Sequence, residues 1–420
     1  MTIAVGYFYG ILRANIQSPV SHFIFDAALV GLYCGHFFSK ALQIERARAG
    51  ALRTWVVVLI SWPILLCLLP FQSLIVTLVG FRGNAFLLPI ILLGPWLLKD
   101  DTFRLSYGLA LLNLVALLFA GAEYFQGVER FFPPSAVTEL IHRSTDAAGH
   151  YRIPSTFPSA HAYAGTMVMT LPFLFGGWAQ FGLAKRSRIV LLLGMTAALL
   201  GVLMAATRSH FAVAATLVLA AIASGQIGLR RRFMWAALIV ILAVVALNTE
   251  RFQRFKQLGD TEAVAGRIAG SVNRGFWEIL VEHPMGNGLG GGGTSLPYFL
   301  QSQVRNPIGM ESEYARILSE QGIIGLLLWV GFIAWVLTRV SGLPKDSCYA
   351  GRRLAWLACV LYFGTGLIGV GLLTSIPQSL LMLVCVGWIS VQSDFETSAR
   401  FASHTNRLAH PAQRFTGACR

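Results

Sequence analysis

Apolar residues in this chain do not alternate with polar ones; they come in long runs. The runs lie near 1–12, 20–38, 54–80, 83–98, 105–122, 162–178, 189–206, 210–227, 233–247, 318–338, 354–373 and 376–392. Most match the roughly 17–25 residues that a helix needs to cross a ~30 Å hydrocarbon layer. The pattern predicts an all-α polytopic membrane protein with about twelve transmembrane helices. Composition agrees, with 55% hydrophobic and only 12% charged residues, against about 25% charged in soluble domains. A large soluble protein with buried helices would need far more polar surface.

Charge orients the runs. Basic residues fall in short segments on alternate sides: Lys40, Arg46, Arg48 and Arg53; Lys99 and Arg104; Lys185, Arg186 and Arg188; Arg230, Arg231 and Arg232; Arg339, Lys345, Arg352 and Arg353; then Arg400, Arg407, Arg414 and Arg420. They make up 20 of the 33 basic residues, and an excess of Lys and Arg in short loops marks the cytoplasmic side. Both termini are therefore expected inside. The net charge of +14 is mostly this orientation signal. Without the aromatic–basic interleaving of single-strand binders, no nucleic-acid partner is expected. The six cysteines show no metal-ligand spacing, and no disulfide framework is expected. The opening MTIAVGYFYGILRANIQSPVSHF lacks a basic leader and a small-residue cleavage site. It is read as mature protein, with a first helix that crosses only part of the layer or a start lying further upstream.

The organisation predicted is an N-terminal bundle at 1–247 with an exterior loop at 123–161. A large exterior loop at 248–317 follows, between the ninth and tenth spans, then C-terminal membrane helices at 318–392. A basic cytoplasmic tail at 393–420 reads as disordered. Both exterior loops are too polar to span and too long for simple turns, and loops of that kind are functional or disordered. They carry most of the Gly and Pro punctuation: FFPPSA, RIPSTFPSAHAYAG, HPMGNGLGGGG and RNPIGM.

GMESEYARILSEQGIIGLLLW places Glu311 and Glu313 ahead of the tenth run, on the exterior side. A helix N-terminus favours anions. The i,i+3 and i,i+4 spacing of Glu313, Arg316 and Glu320 predicts an ion-pair ladder that accounts for all three without chemistry. Glu311 is left over beside the long loop and is the candidate functional carboxylate. Arginines gather on the same side: Arg152 before PSTFPSAHAYAG, Arg208 in the tight hairpin AATRSHFAV, and Arg267 and Arg274 in VAGRIAGSVNRGFW. Snorkelling explains any single one of them. Several beside one carboxylate would form an anion site, and the planar guanidinium fork suits phosphate. His161 and His210 also face outward, each a lone histidine of the kind that is usually structural. GNGLGGGG lacks the Lys-Ser/Thr ending of a P-loop and leaves two readings open, close backbone approach to a ligand or a hinge. Asp26, an acid inside the second run, is expected to pair with a basic group.

GRIAGSVNRGFWEILVEHPMGNGLGGGG followed by ESEYARILSEQGIIGLLLW resembles the carboxy-terminal half of the O-antigen ligase/polymerase superfamily. Members carry a large exterior loop with a Gly-Arg stretch, an aromatic–hydrophobic run and P-x-G-x-G. They commonly show His-Asn-x-Tyr ahead of Gly-Ile-Ile-Gly. Here Gly322 opens that pattern, and 11 residues earlier stands Glu311, in Glu311-Ser312-Glu313-Tyr314. Thr207–Ser209 is similar to a family hairpin of Thr, Ser and Arg in another order. YFYGILRANIQSPVSHFIFDAALVGLY is similar to amino-terminal segments of exopolysaccharide polymerases. Glutamate in the histidine slot is a variant of the polymerase branch.

The resemblance implies a GT-C-like, inverting, metal-independent glycosyltransferase that needs no cofactor. It would act at the exterior face of the bacterial inner membrane on a polyprenyl-pyrophosphate-linked oligosaccharide. Arg208 and Arg267 would bind the pyrophosphate, where charge develops, and Glu311 would activate the acceptor hydroxyl. Arg152, Arg274, Tyr314 and His161 are further substrate-binding candidates. A flippase and a chain-length regulator are the implied partners. Two alternatives stay open: ligase-type transfer to a lipid or protein acceptor, and transport of a polar or anionic solute. Transporters place their polar residues near the bilayer midplane, whereas here the unusual charges gather in the exterior loops.

Overall fold

The computed structural model describes residues 1–16, 18–37, 50–97, 99–142, 151–180, 184–224, 276–308, 310, 312–343 and 346–391, with single positions at 235, 244, 262, 265 and 266. Every regular element among them is helical. The helices longer than a single turn are α1 (Thr2–Asn15), α2 (Ile24–Phe37), α3 (Gly50–Leu66), α4 (Leu74–Ala85), α5 (Lys99–Gln126), α6 (Ala160–Trp178), α7 (Lys185–Met204), α8 (Arg208–Ala223), α9 (Phe276–Glu282), α10 (Glu313–Leu337), α11 (Tyr349–Thr365) and α12 (Gln378–Ile389). A 3-10 helix, Leu88–Trp96, extends α4.

Among the described residues, four stretches are long and apolar enough to cross a membrane: Leu74–Trp96, Lys99–Gln126, Lys185–Met204 and Glu313–Gly342. The chain is thus a helical membrane protein by length and composition, but these four are fewer than the twelve or so full-length spans expected. The difference has local causes. The run 54–80 breaks at 67–73, where Pro70 brings no N–H. There the Gln72 side chain donates to the carbonyls of Asn287 (2.8 Å) and Arg305 (3.1 Å) and accepts the Arg305 N–H (2.9 Å). The run 354–373 stops being helical at Thr365, and the chain after it turns back on itself. Gly50–Leu66, Arg208–Ala223 and Gln378–Ile389 are apolar but shorter. The run 233–247, apart from Trp235 and Val244, and the tail 393–420 lie outside the described residues.

The helices run up and down, so the bundle has two ends. Gly176 of α6 faces Gly351 of α11, Trp356 Nε1 donates to the Leu337 carbonyl, and Trp55 of α3 packs on Trp335 of α10. Arg53, Lys99, Lys185, Arg186, Arg188, Arg339, Arg352 and Arg353 therefore share one end, as the loop charges predict. The turns at 67–73, 127–142, 151–159, 205–207, 284–308 and 366–377 share the other. Gly10 there abuts Phe157, Gly201 abuts Tyr163, Gly288 abuts Phe71 and Gly371 abuts His161.

α10 is broken inside its apolar stretch. Gly322 stands at φ 68 and ψ −172, a region open essentially to glycine alone. The break frees backbone groups, and the glycine-rich loop takes them up. The Asn287 N–H donates to the Ser319 carbonyl and the Ile323 N–H to the Pro284 carbonyl, while Trp62 Nε1 donates to the Gln321 carbonyl at 2.8 Å. Irregular backbone is tolerated at membrane depth where protein supplies its partners. The loop's positive φ angles at Gly286, Gly288 and Gly290 (84, 83 and 80) let it lie flat against α4 and α10. GNGLGGGG makes its close approach to other parts of the chain.

Gly322→Ala is expected to cost at least ~1–3 kcal/mol from backbone strain alone, because its β-carbon would also stand 2.6 Å from the Met285 carbonyl carbon. The check is thermal unfolding in detergent beside Gly121→Ala, whose β-carbon meets nothing within 4 Å. Only the first variant should melt lower.

Candidate functional site at the end opposite the basic loops

The Ser312 hydroxyl accepts the Ala315 N–H at 3.0 Å and caps α10. The helix therefore begins at Glu313, one and a half turns before the apolar run from 318. The predicted ladder is present. Arg316 donates to Glu313 Oε1 through Nη2 (2.7 Å) and Nε (2.9 Å), and to Glu320 Oε2 through Nη1 (2.8 Å). Its setting differs from the expected solvated helix end, because all three side chains are fully buried. Long-range donors complete the cluster. Glu313 Oε2 accepts the N–H groups of Gly371 (2.7 Å) and Leu372 (3.3 Å). Glu320 accepts from Asn84 Nδ2 and, at 3.1 Å, from Ser295 Oγ. Asn84 Oδ1 receives Arg316 Nη1 and Gln321 Nε2, each at 2.9 Å.

Every carboxylate oxygen here has a donor. Glu313, with two donors on each oxygen, is therefore a structural acceptor, and Glu320 is bonded at both of its oxygens. A buried charge group of this kind contributes little net stability while intact, yet removing one partner strands the others.

The hairpin 366–377 that clasps Glu313 leads to the second part of the site. His161, at the start of α6, packs against Gly371. Its ring meets His210 edge to face, with centroids 4.3 Å apart, and His210 lies 6.3 Å from the Tyr362 ring. Arg152 is close enough to act on His161 electrostatically. His210 is 2% exposed, and its Nε2 makes no hydrogen bond. It sits in the first turn of α8, which begins at the partly exposed Arg208. The preceding hairpin is tight enough to force Ala206 to φ 51.

Of the residues chosen from sequence, Arg152, His161 and Arg208 come to this one region. Tyr314 is nearby, with its hydroxyl committed to the Phe363 carbonyl at 2.8 Å. Glu311, Arg267 and Arg274 lie outside the described residues. Asp26 finds its expected cation in Arg82, at 2.8 Å. His210 and Asn84 were missing from the sequence-based choice. An asparagine inside an apolar run is a signal of internal pairing, whereas the histidine pair has no local signature. Among the described residues no group of three or more His, Cys, Asp or Glu could hold a metal ion. A small pocket of about 20 Å³, lined by Leu171, Pro172, Phe175, Leu217, Val218 and Trp235 among others, is apolar and sits deeper along α6 and α8.

Fold and site together define an all-helical membrane protein with a buried charge cluster and an Arg/His cluster at one end. No protein-family model matches the chain, and no curated protein is significantly similar to it.

Arg316→Met should destabilise by about 3–5 kcal/mol, because it strands two buried carboxylates. Glu313→Gln should cost less, since Arg316 keeps Glu320. Unfolding temperatures of the purified variants check the order; equal shifts would contradict the cluster's role.

Proposed function

We propose that the chain is a multi-pass glycosyltransferase of the bacterial inner membrane, with its active site on the exterior face. It polymerises polyprenyl-pyrophosphate-linked oligosaccharide repeats into an O-antigen or exopolysaccharide chain. The observation that carries the reading is the position of Arg208. It begins α8 at the end away from the basic loops, and on the same helix Leu217, Val218, Ala221 and Ile222 line the apolar pocket. At 1.5 Å per residue that pocket starts ~14 Å below the arginine. One helix thus offers a cation to an anionic head group and, further along, apolar side chains to a lipid tail. In this reading the shorter up-and-down helices complete a GT-C-like set of crossings.

The acceptor hydroxyl attacks the anomeric carbon as the glycosyl–phosphate bond breaks. Polyprenyl pyrophosphate leaves with the bonding electrons, and the hydroxyl proton passes to a base. Arg208 and Arg267 neutralise the leaving group, and a planar fork aimed at developing charge is the efficient means. Glu311 is the base, while Arg152, His161, Arg274 and the Tyr314 ring edge border the sugar. Ligase-type transfer to another acceptor uses the same parts. Transport has one observation in its favour, the broken helix at Gly322, since transporters bind solutes at such breaks. Every carboxylate oxygen beside that break already accepts a hydrogen bond from within the chain, which favours the enzyme.

The test is polymerisation of lipid-linked repeats by purified protein, with folding checked separately. Arg208→Lys keeps the charge, loses the fork and should slow the reaction about 10²-fold. Glu311→Gln should slow it about 10²–10⁴-fold. Wild-type rates in both variants would sink this assignment. For orientation, cysteines introduced singly into a cysteine-free background at Gly293 and Lys185 should react oppositely with an impermeant maleimide in intact cells, the first labelled and the second protected.

A further inference from the structure

Glu123 follows directly on the apolar run 105–122, one turn before the end of α5, and is fully buried. Its Oε2 accepts the Ser155 N–H at 2.8 Å, and its Oε1 makes no hydrogen bond. Asp26, Glu313 and Glu320 are each bonded to a guanidinium, but among the described residues no ion pair or nearby charge reaches Glu123. Among the described residues the surrounding elements bring it no cation, and Glu129 and Arg130 of the turn Val128–Arg130, which packs on the end of α5, are exposed. From α6 comes Tyr163, fully buried, with an unbonded hydroxyl that lies within electrostatic reach of the carboxyl. From α1 comes Tyr7, whose hydroxyl is spent on Asn113 Oδ1 at 2.7 Å. The segment 151–159 brings Ser155, whose hydroxyl donates to the Ala116 carbonyl at 2.7 Å, and Arg152, whose charge acts on His161. α7 keeps its cations, Lys185, Arg186 and Arg188, at the far end.

A lone ionised carboxylate enclosed in this way would face a desolvation cost of several kcal/mol with nothing to offset it. A carboxyl escapes that cost by keeping its proton. We infer that Glu123 is a proton-binding site, a carboxyl neutral at neutral pH that keeps one oxygen unbonded in a pocket it shares with Tyr163. The site has a mechanical role. Ser155 stands at φ 54, left-handed without being glycine, and α5 holds it by both its N–H and its hydroxyl. The chain between Arg152 and His161 is anchored there, so gain or loss of this proton acts directly on the placement of both residues. The inference is independent of the reaction proposed above.

Infrared spectroscopy of the full chain in lipid nanodiscs tests it. The carbonyl stretch of a protonated carboxylic acid should appear at neutral pH in the wild type and be missing from Glu123→Gln. The neutral, nearly isosteric amide should leave the unfolding temperature unchanged. The band should vanish on alkaline titration and ignore sodium and potassium at constant pH. Identical wild-type and variant spectra would mean that Glu123 is ionised and would overturn the proposal. So would a band removed by either metal cation at fixed pH, because the ligand would then be that cation. If Glu123→Gln does not fold, Tyr163→Phe decides. It keeps the carboxyl and changes only its neighbour, so the band should shift in frequency, and an unmoved band refutes the assignment.

Discussion

A guanidinium with no access to water, held between carboxylates one turn before and one turn after it, is the constraint around which this structure is arranged. Arg316 alone would be an intolerable charge in an apolar bundle, and two carboxylates alone would be worse. Meeting that constraint recruits distant parts of the chain. Glu313 draws in the hairpin after α11 through two backbone N–H groups. Glu320 draws in the glycine-rich loop through Ser295, and Asn84 brings α4. Polar bonding of this kind adds less net stability than apolar burial of the same volume. What it specifies is register, because a shift of one residue in α10 would leave charges stranded.

The cluster also explains how a loop and a membrane helix come to share one backbone network. α10 breaks at Gly322, directly beyond Glu320, and the loop at 284–292 fills the break. The polar end of the bundle is therefore rigid at its base and carries the His161–His210 pair and Arg208 above it. Buried, hydrogen-bonded charges build the floor, and partly exposed Arg152 and Arg208 stay at the rim.

Local relations were legible in the sequence and distant ones were not. Glu313, Arg316 and Glu320 lie within two helical turns, so spacing alone predicted their pairing. The loops rich in Lys and Arg announced a common end because that signal is compositional. Asp26 advertised the need for a cation, but Arg82 could not be named. The partners of Asn84 lie 232 to 237 residues away, and His161 and His210 read as two solitary residues. Helix ends were misjudged where apolar residues continue through a turn, as at 366–373, because hydrophobicity says nothing about which N–H groups are pledged to a carboxylate. Burial was misjudged for the same reason, since Glu313 looked like a solvated cap. The residues given the central chemistry, Glu311 and Arg267, and also Arg274, lie outside the described part of the chain.

The dependence of α4 on residues far downstream bears on how the protein is made. Gln72, Gly80 and Asn84 pack or bond only against 284–321 in the contacts that define this face. The ribosome must add some two hundred residues after α4 before those partners exist. Throughout that interval a helix bearing an asparagine and a guanidinium waits in or beside the bilayer, its polar face unmatched except for the Asp26–Arg82 link to α2. Among the described residues that early link is the ionic tie already available to the nascent chain. The N-terminal helices are thus a provisional assembly during translation, and any truncation upstream of the glycine-rich loop leaves a fragment with a permanently open polar seam, a natural substrate for membrane quality control.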